Sequence, residues 1–246
     1  MKKLNILTWN TQLYEQGNNV GNRVKDINEN SFLTVINFVK GYIEKENSIA
    51  FLQEIPFCNN ITWTEHELYT KLKNEFPENE YDIKLNITLK QQIMMTIAIA
   101  KKDIITEDLN GFNDNRCISV VSNTLGLRII GIHAKNDFNT KTYLDDIKKQ
   151  YESYYDLILG DFNSGNYLKN HESSIFKKNR QAFIQFTEGY IDVCQGKVTT
   201  QYSTQIDHVL IKNNDTFSKM DYTVRIIDTI QCSDHYPIIF EIKLLD

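Results

Sequence analysis

The chain has 246 residues, enough for one large domain or two small ones and for a substantial buried core. Its 41% hydrophobic and 24% charged residues are those of an ordinary globule, which excludes a low-complexity or disordered chain. A formal net charge of −5 argues against a nucleic-acid binder that works by phosphate neutralisation alone, but not against a metal enzyme. In such an enzyme the carboxylates add to the negative count and the cation reverses the sign locally. The apolar run that opens at Leu4 breaks at Thr8, too short for the core of a signal peptide, and no segment approaches the roughly 18 apolar residues of a membrane span. Cys58, Cys117, Cys194 and Cys232 are scattered, with no metal-binding or dithiol spacing, and are expected as reduced, buried or half-buried thiols. The expectation is a cytoplasmic monomer without stable membrane insertion.

In chain order, residues 4–9 are expected to form a strand and residues 31–44 a helix, with Phe32, Val35, Ile36, Val39 and Ile43 at helical spacing. A strand over 48–55 ends at Pro56. A helix is expected to start at Thr64, with Glu67 as the capping-box acid and Leu68, Leu72 and Phe76 on one face. Short strands are expected at 93–100, 116–122 and 127–133, then a helix over 143–155 and a buried strand at 157–159. A short helix over 181–186 and strands at 206–211, 222–227 and 238–244 complete the chain. No linker, repeat or low-complexity tract divides it, so residues 1–246 are expected to form a single domain. Two packed sheets with helices outside fit this mixture better than a doubly wound parallel sheet. A dinucleotide-binding turn is absent, because the segment after the first run is Thr8-Trp9-Asn10-Thr11.

Several expected strands end in polar residues that suit phosphate chemistry. Asn10, Glu54, Asp161 with Asn163, and Asp234 offer carboxylate or amide oxygens, a donor set that suits a hard cation such as Mg²⁺. His235 is a natural general base, because imidazole titrates near neutral pH, and Asp207 is an acid that can orient it. His133, at the end of its own run, can donate a hydrogen bond or a proton opposite the base. Each of these has a plainer reading. Asp161-Phe162-Asn163-Ser164-Gly165 is by itself a turn sequence, Glu54 the first solvated position after a strand, and His133 a half-buried ring. Their joint occurrence on strand termini is what points to an enzyme. His208, on the opposite face of its strand from Asp207, is expected to pack or face solvent, and His66 and His171 to be solvated.

Taken together, Thr8-Trp9-Asn10, Gln53-Glu54, His133, Gly160-Asp161-Phe162-Asn163, Gln205-Ile206-Asp207-His208 and Ser233-Asp234-His235-Tyr236-Pro237 resemble the endonuclease/exonuclease/phosphatase superfamily. That group includes DNase I, exonuclease III-type repair nucleases, neutral sphingomyelinases and inositol-polyphosphate 5-phosphatases. The resemblance runs from residue 4 to about residue 242. It implies a four-layer α-β-β-α sandwich, an α/β (α+β) fold with two mixed sheets between helices. It also implies a divalent cation, Mg²⁺ with Mn²⁺ as a substitute, held chiefly by Glu54 with Asn10 and Asp234 near it. Asp161 and Asn163 would position the attacking water and the phosphate. His235 would take the water's proton while Asp207 holds the ring, and His133 would contact the scissile phosphate or assist the leaving oxygen. The implied reaction is phosphoester hydrolysis by in-line attack, without a covalent enzyme intermediate.

The chain departs from parts of that superfamily. Gln12 stands where exonuclease III-type repair enzymes usually carry an acid, and His133 resembles the DNase I, sphingomyelinase and phosphatase branches instead. Abasic-site repair is therefore disfavoured. The expected substrate is DNA, with a basic strip at Lys169, Lys177, Lys178 and Arg180 in support. The alternative is a small-molecule or lipid-headgroup phosphoester, for which residues 61–63 or 151–155 would supply an exposed apolar or aromatic loop.

Overall fold

Period-2 alternation decides the architecture. In β1 (Lys3–Asn10), Leu4 and Ile6 point one way and Leu7 and Trp9 the other, and both sets are buried. A strand buried on both faces must lie inside a layered structure. The computed structural model describes residues 2–15, 19–20, 23–24, 28–88, 92–135, 139–151, 154–167, 174–215 and 217–245. After β1 come the short antiparallel pair β2 (Asn19–Val20) and β3 (Arg23–Val24), then α1 (Glu29–Ile43), β4 (Ser48–Pro56) and α2 (Glu67–Glu75). Next are β5 (Tyr81–Leu85), β6 (Met94–Lys101), β7 (Ile105–Glu107), β8 (Cys117–Ser122), β9 (Arg128–His133) and α3 (Thr140–Tyr151). The chain continues through β10 (Leu157–Tyr167), α4 (Ser174–Phe186), β11 (Tyr190–Asp192), β12 (Thr204–Lys212), β13 (Met220–Ile226) and β14 (Ile238–Leu244).

Two six-stranded sheets result, in the orders β13-β14-β1-β4-β6-β5 and β11-β12-β10-β9-β8-β7. Both are mixed, because β1 runs parallel to β4 and β9 parallel to β10 while their other pairings are antiparallel. Leu4, Ile6, Ile49 and Phe51 of the first sheet meet Ile129, Leu159 and Val209 of the second in the central core. Helices α1 and α2 cover the outer face of the first sheet, and α3 and α4 that of the second. The expected four-layer α-β-β-α sandwich is therefore the observed one.

Some elements differ from expectation. The second helix starts at Glu67, not Thr64, and its N-cap is His66, whose Nδ1 accepts from the Leu68 N–H at 3.1 Å. His66 is buried by that role, not solvated. The third helix stops at Tyr151; Tyr154 and Tyr155 continue the apolar spacing but stack with Tyr151 outside the helix. The fourth is longer than expected and starts at Ser174. Strands β2, β3, β5, β7 and β11 are not among the expected ones. Cys58, Cys117 and Cys194 are buried thiols and Cys232 is half-buried, as expected. No helix among the described residues is long and apolar enough to cross a membrane.

Candidate active site

The inward-facing positions of four strands converge at one edge of the sandwich. In β1 the inward series 4, 6, 8 ends on Asn10, and in β9 the series that includes Ile129 ends on His133. In β10 Leu157 and Leu159 lead to Asp161, and in β12 Val209 and Ile211 share a face with Asp207. His133, Asp161 and Asp207 are register neighbours across the second sheet. Two acids placed side by side in this way repel unless positive charge stands between them.

Glu54 reaches the site by a different device. Strict alternation would turn it outward with Ala50 and Leu52. The β4–β6 register shifts between Leu52 and Ile55, and Glu54 takes a φ of +57°, so the extra residue of this bulge is turned back inward. A second irregularity follows Asp161, where the β10–β12 register shifts before Asn166 and Asn163 has a φ of +48°. Gly160, at φ +126°, permits the close approach of β10 to β9, since a Cβ there would lie 2.0 Å from the carbonyl oxygen of Ile132.

Asn10 Nδ2 donates to Glu54 Oε1 at 3.1 Å and to Asp161 Oδ2 at 2.9 Å, bridging the two sheets. Its Oδ1 accepts from the Gln12 N–H, so the amide oxygen expected to face a cation is turned away from the carboxylates. Asp161 Oδ1 accepts from the Asn163 N–H at 2.7 Å, and Asn163 Nδ2 donates to the Ala134 carbonyl at 2.8 Å. Nδ1 of His235 lies 2.9 Å from both oxygens of Asp207. This contact spans the two sheets, because β12 lies in one and β14, which His235 precedes, in the other. The other ring nitrogen of His235 faces Asp234 Oδ1 at 3.7 Å and Asp161 Oδ2 at 3.9 Å.

The environment separates the two histidines. Burial lowers the pKa of His235, but Asp207, Asp161 and Asp234 outweigh it and push the ring up to about 10. Burial drives His133 down to about 3, with Asp161 opposing and Arg116 and His235 assisting. His133 is therefore neutral near pH 7. Arg116 Nη1 lies 3.4 Å from its Nδ1, and a guanidinium has no acceptor, so Nδ1 carries the lone pair. The proton then sits on Nε2, which points at Glu54 Oε1 and Asp161 Oδ2 at 3.4 and 3.7 Å. Sequence reasoning did not single out Arg116; its contact with His133 exists only across the β8–β9 pairing. It also assigned no role to Ser233 or Trp9. Ser233 Oγ donates to the Asn10 carbonyl and accepts from the His235 N–H, and the Trp9 indole donates to the His235 carbonyl at 3.0 Å.

A cation has a place among these groups. Glu54 Oε2 is buried without a hydrogen-bond partner, and burial raises this carboxyl to about 7, partly offset by the Asn10 hydrogen bond and His235. An orphaned buried carboxylate oxygen beside Asp161 and Asp234 fits a hard divalent ion. Asp161, Asp207 and His235 also bring ligand atoms within 4.8 Å of one another. Nδ1 of His235 is already committed to Asp207, so that trio reads better as a hydrogen-bonded Asp207–His235 pair with Asp161 beside it than as a metal cage.

Of the remaining sequence candidates, His208 packs as expected, fully buried between Phe162 and Phe183 with Asp192 and the Ser164 carbonyl on its ring nitrogens. Lys177, Lys178 and Arg180 are exposed on α4, whereas Lys169 and His171 lie outside the described residues. Lys71 and Lys73 of α2 are held in ion pairs with Glu67 and Glu65.

No family model and no curated protein matches the sequence. Solved structures do match over nearly the whole chain. The endonuclease domain of TRAS1, a telomere-specific non-LTR retrotransposon, is 14% identical over 99% of this chain and 100% of its own, with a TM-score of 0.66. An AP endonuclease from Archaeoglobus fulgidus is 15% identical over 96% and 98%, with a TM-score of 0.65. An endonuclease/exonuclease/phosphatase from Bacteroides vulgatus is 14% identical over 99% and 100%, with a TM-score of 0.64. The chain has the endonuclease/exonuclease/phosphatase fold. At these identities the likeness speaks for the fold, and the chemistry rests on the residues of the site.

Proposed function

We propose that residues 1–246 form one divalent-cation-dependent phosphodiesterase unit and that its substrate is DNA. The observation that carries this reading is the His235–Asp207 pair, whose second ring nitrogen opens onto Asp161, Asp234 and the orphaned carboxylate of Glu54. Mg²⁺ or Mn²⁺ would be held by Glu54 with Asp234 and Asp161 beside it, and when bound would polarise a phosphoryl oxygen and offset its developing charge. Asn10 acts as the donor that fixes Glu54 and Asp161 relative to each other. Nε2 of His235 takes the proton of the attacking water, and Asp207 holds the tautomer and stabilises the imidazolium. Asp161, fixed by Asn163, orients that water. His133, neutral and protonated on Nε2, donates a hydrogen bond to the phosphate; a pKa near 3 makes it a poor proton donor at neutral pH. Two of the structural neighbours are endonucleases, which favours a nucleic-acid substrate.

Nicking of supercoiled plasmid tests the reading. Cutting should require Mg²⁺ or Mn²⁺ and disappear with EDTA or with His235→Ala in a folded protein. Full activity of His235→Ala would refute the assignment of the base. An intact plasmid with native, Mg²⁺-binding protein would favour the second reading, a small or lipid-headgroup phosphoester. One observation supports that alternative: Ile61 and Trp63 are 62% and 43% exposed on a turn that follows Glu54 at the catalytic edge. Residues 151–155 do not serve it, because Tyr155 is fully buried and Tyr151 and Tyr154 are half-buried.

A further inference from the structure

Beside the catalytic edge, an open groove of about 570 Å³ separates the end of β13 from the loop that leads into β12. Its floor is apolar: Val224 and Ile226 pack on the central core and Ile227 on the outer one. One wall is Tyr236, the residue after His235, and the Tyr236 N–H donates to the Thr199 carbonyl at 2.8 Å, closing the groove against the catalytic segment. Lys197 lines it and makes no ion pair among the described residues, whereas Arg225 alternates with Val224 and Ile226 and turns to the outer face of β13, where it meets Glu241 at 3.4 Å. Asp228 is the one acid of the lining.

Four residues beyond Val198, on the turn that continues this wall, is an exposed aromatic. Tyr202 is 73% exposed, and its ring and hydroxyl have no partner among the described residues. Its backbone is held firmly all the same. The turn closes through the Ser203 N–H to the Thr200 carbonyl at 3.1 Å, and the Thr200 and Thr204 hydroxyls meet at 2.6 Å. Gln201 then ties the turn to the catalytic segment, through its N–H to the Asp234 carbonyl at 2.8 Å and its Nε2 to the Ser233 carbonyl at 2.9 Å. An exposed phenol on so constrained a turn gains nothing for folding and offers a flat apolar face at a set place.

We propose that Tyr202 and the Lys197 side of this groove bind an unpaired strand of nucleic acid flanking the scissile phosphate, a base stacking on Tyr202 and a backbone phosphate meeting Lys197. This rests on the phosphodiesterase reading above and narrows its substrate. A stacking face beside an unpaired cation is the combination that single-strand binding uses. A paired duplex would offer no free base to the ring. The net charge of −5 also fits a short, local track better than a broad electrostatic footprint.

Fluorescence anisotropy of a labelled oligothymidylate, with EDTA present so that nothing is cut, reads the groove without turnover. Tyr202→Ala should weaken binding on the order of five- to a hundredfold. Lys197→Gln should lower the slope of log affinity against log salt by about 0.7. Hydrolysis of bis(p-nitrophenyl) phosphate with Mg²⁺, which reports on the catalytic centre, should stay at the native rate in both variants. Native-like oligonucleotide binding by both variants would overturn the proposal, as would absence of binding by the native protein. So would a defect confined to phosphatidylcholine–sphingomyelin vesicles. Failure of the native protein on the small diester would strike the phosphodiesterase reading instead, leaving the binding result to stand or fall by itself.

Discussion

Replacing Glu54 by Gln isolates the consequence of burying a carboxylate that no donor fully satisfies. Its folded pKa is raised from 4.5 to about 7, chiefly by burial. Between those two values the folded protein holds a proton that the unfolded chain has released, so stability falls as pH rises through that window and the penalty is complete above about pH 7. Linkage puts the penalty at about 1 kcal/mol at pH 5 and about 3 kcal/mol at pH 8. Gln keeps an acceptor for Asn10 Nδ2 and places an amide N–H where Oε2 was, which can cost about 1–3 kcal/mol if it finds no acceptor. That cost does not vary with pH. The difference in unfolding free energy between variant and native should therefore shift towards the variant by about 2 kcal/mol from pH 5 to pH 8. Urea unfolding in EDTA at the two pH values measures it. Repeating the pH 8 curves with Mg²⁺ should stabilise the native protein and not Glu54→Gln. A pH-independent difference, or equal stabilisation of both proteins by Mg²⁺, would refute the assignment of Glu54 as the buried cation ligand.

Three other substitutions probe the frame around the site. Asp207→Asn should cost at least about two orders of magnitude in turnover. It should also flatten the pH dependence of stability. His235 is raised from 6.5 to about 10, burial opposing and Asp207 leading the carboxylates that lift it, so its contribution is complete below pH 6.5 and lost as pH rises through about 10; unfolding curves across that range read the change. Gly160→Ala forces a Cβ to within 2.0 Å of the Ile132 carbonyl oxygen at a φ of +126°, and thermal denaturation should show a loss above about 3 kcal/mol or no folded protein at all. Arg116→Leu frees Nδ1 of His133 to carry the proton, and steady-state kinetics on a small diester should show kcat falling with KM little changed.

The parts of the site legible in the sequence are those that obey strand alternation. Asn10, His133 and Asp161 each follow an apolar run and Asp207 precedes one, all at its inward parity, so the residues that fill the central core also point at the chemistry. Glu54 was found by its position after a strand, but its direction was not legible, because the bulge that reverses it depends on pairing with β6. The contact of Asp207 with His235 was foreseen and its route was not. Local pattern says that 206–211 and 238–244 are strands; which sheet each joins is decided by partners far away in the chain. Strand β5 was missed because Asp82 and Lys84 break its apolar face and it lies half-buried at the edge of its sheet. His66 was misjudged because a histidine in a polar stretch looks solvated until the helix it caps is in place.

The electrostatics of the edge tie the fold to the proposed chemistry. Four carboxyl groups, those of Glu54, Asp161, Asp207 and Asp234, surround two imidazoles, one of which is kept neutral by burial and Arg116. Of the two imidazoles His235 is left to answer the excess, and it answers by holding its proton up to about pH 10. A base with that pKa takes up almost no further proton at neutral pH, so a site with only these charges would be poor at activating water. Positive charge placed at Glu54 opposes the same carboxylates that lift His235 and so draws its pKa back towards neutrality. The burial that raises Glu54 and the acidic excess that blocks His235 thus have one remedy. It follows that the pH at which hydrolysis reaches half its maximum should fall as Mg²⁺ is raised from sub-saturating to saturating, a shift that pH–rate profiles at fixed ionic strength would reveal. A profile whose midpoint ignores Mg²⁺ would separate the cation from the base and refute the coupling between Glu54 and His235.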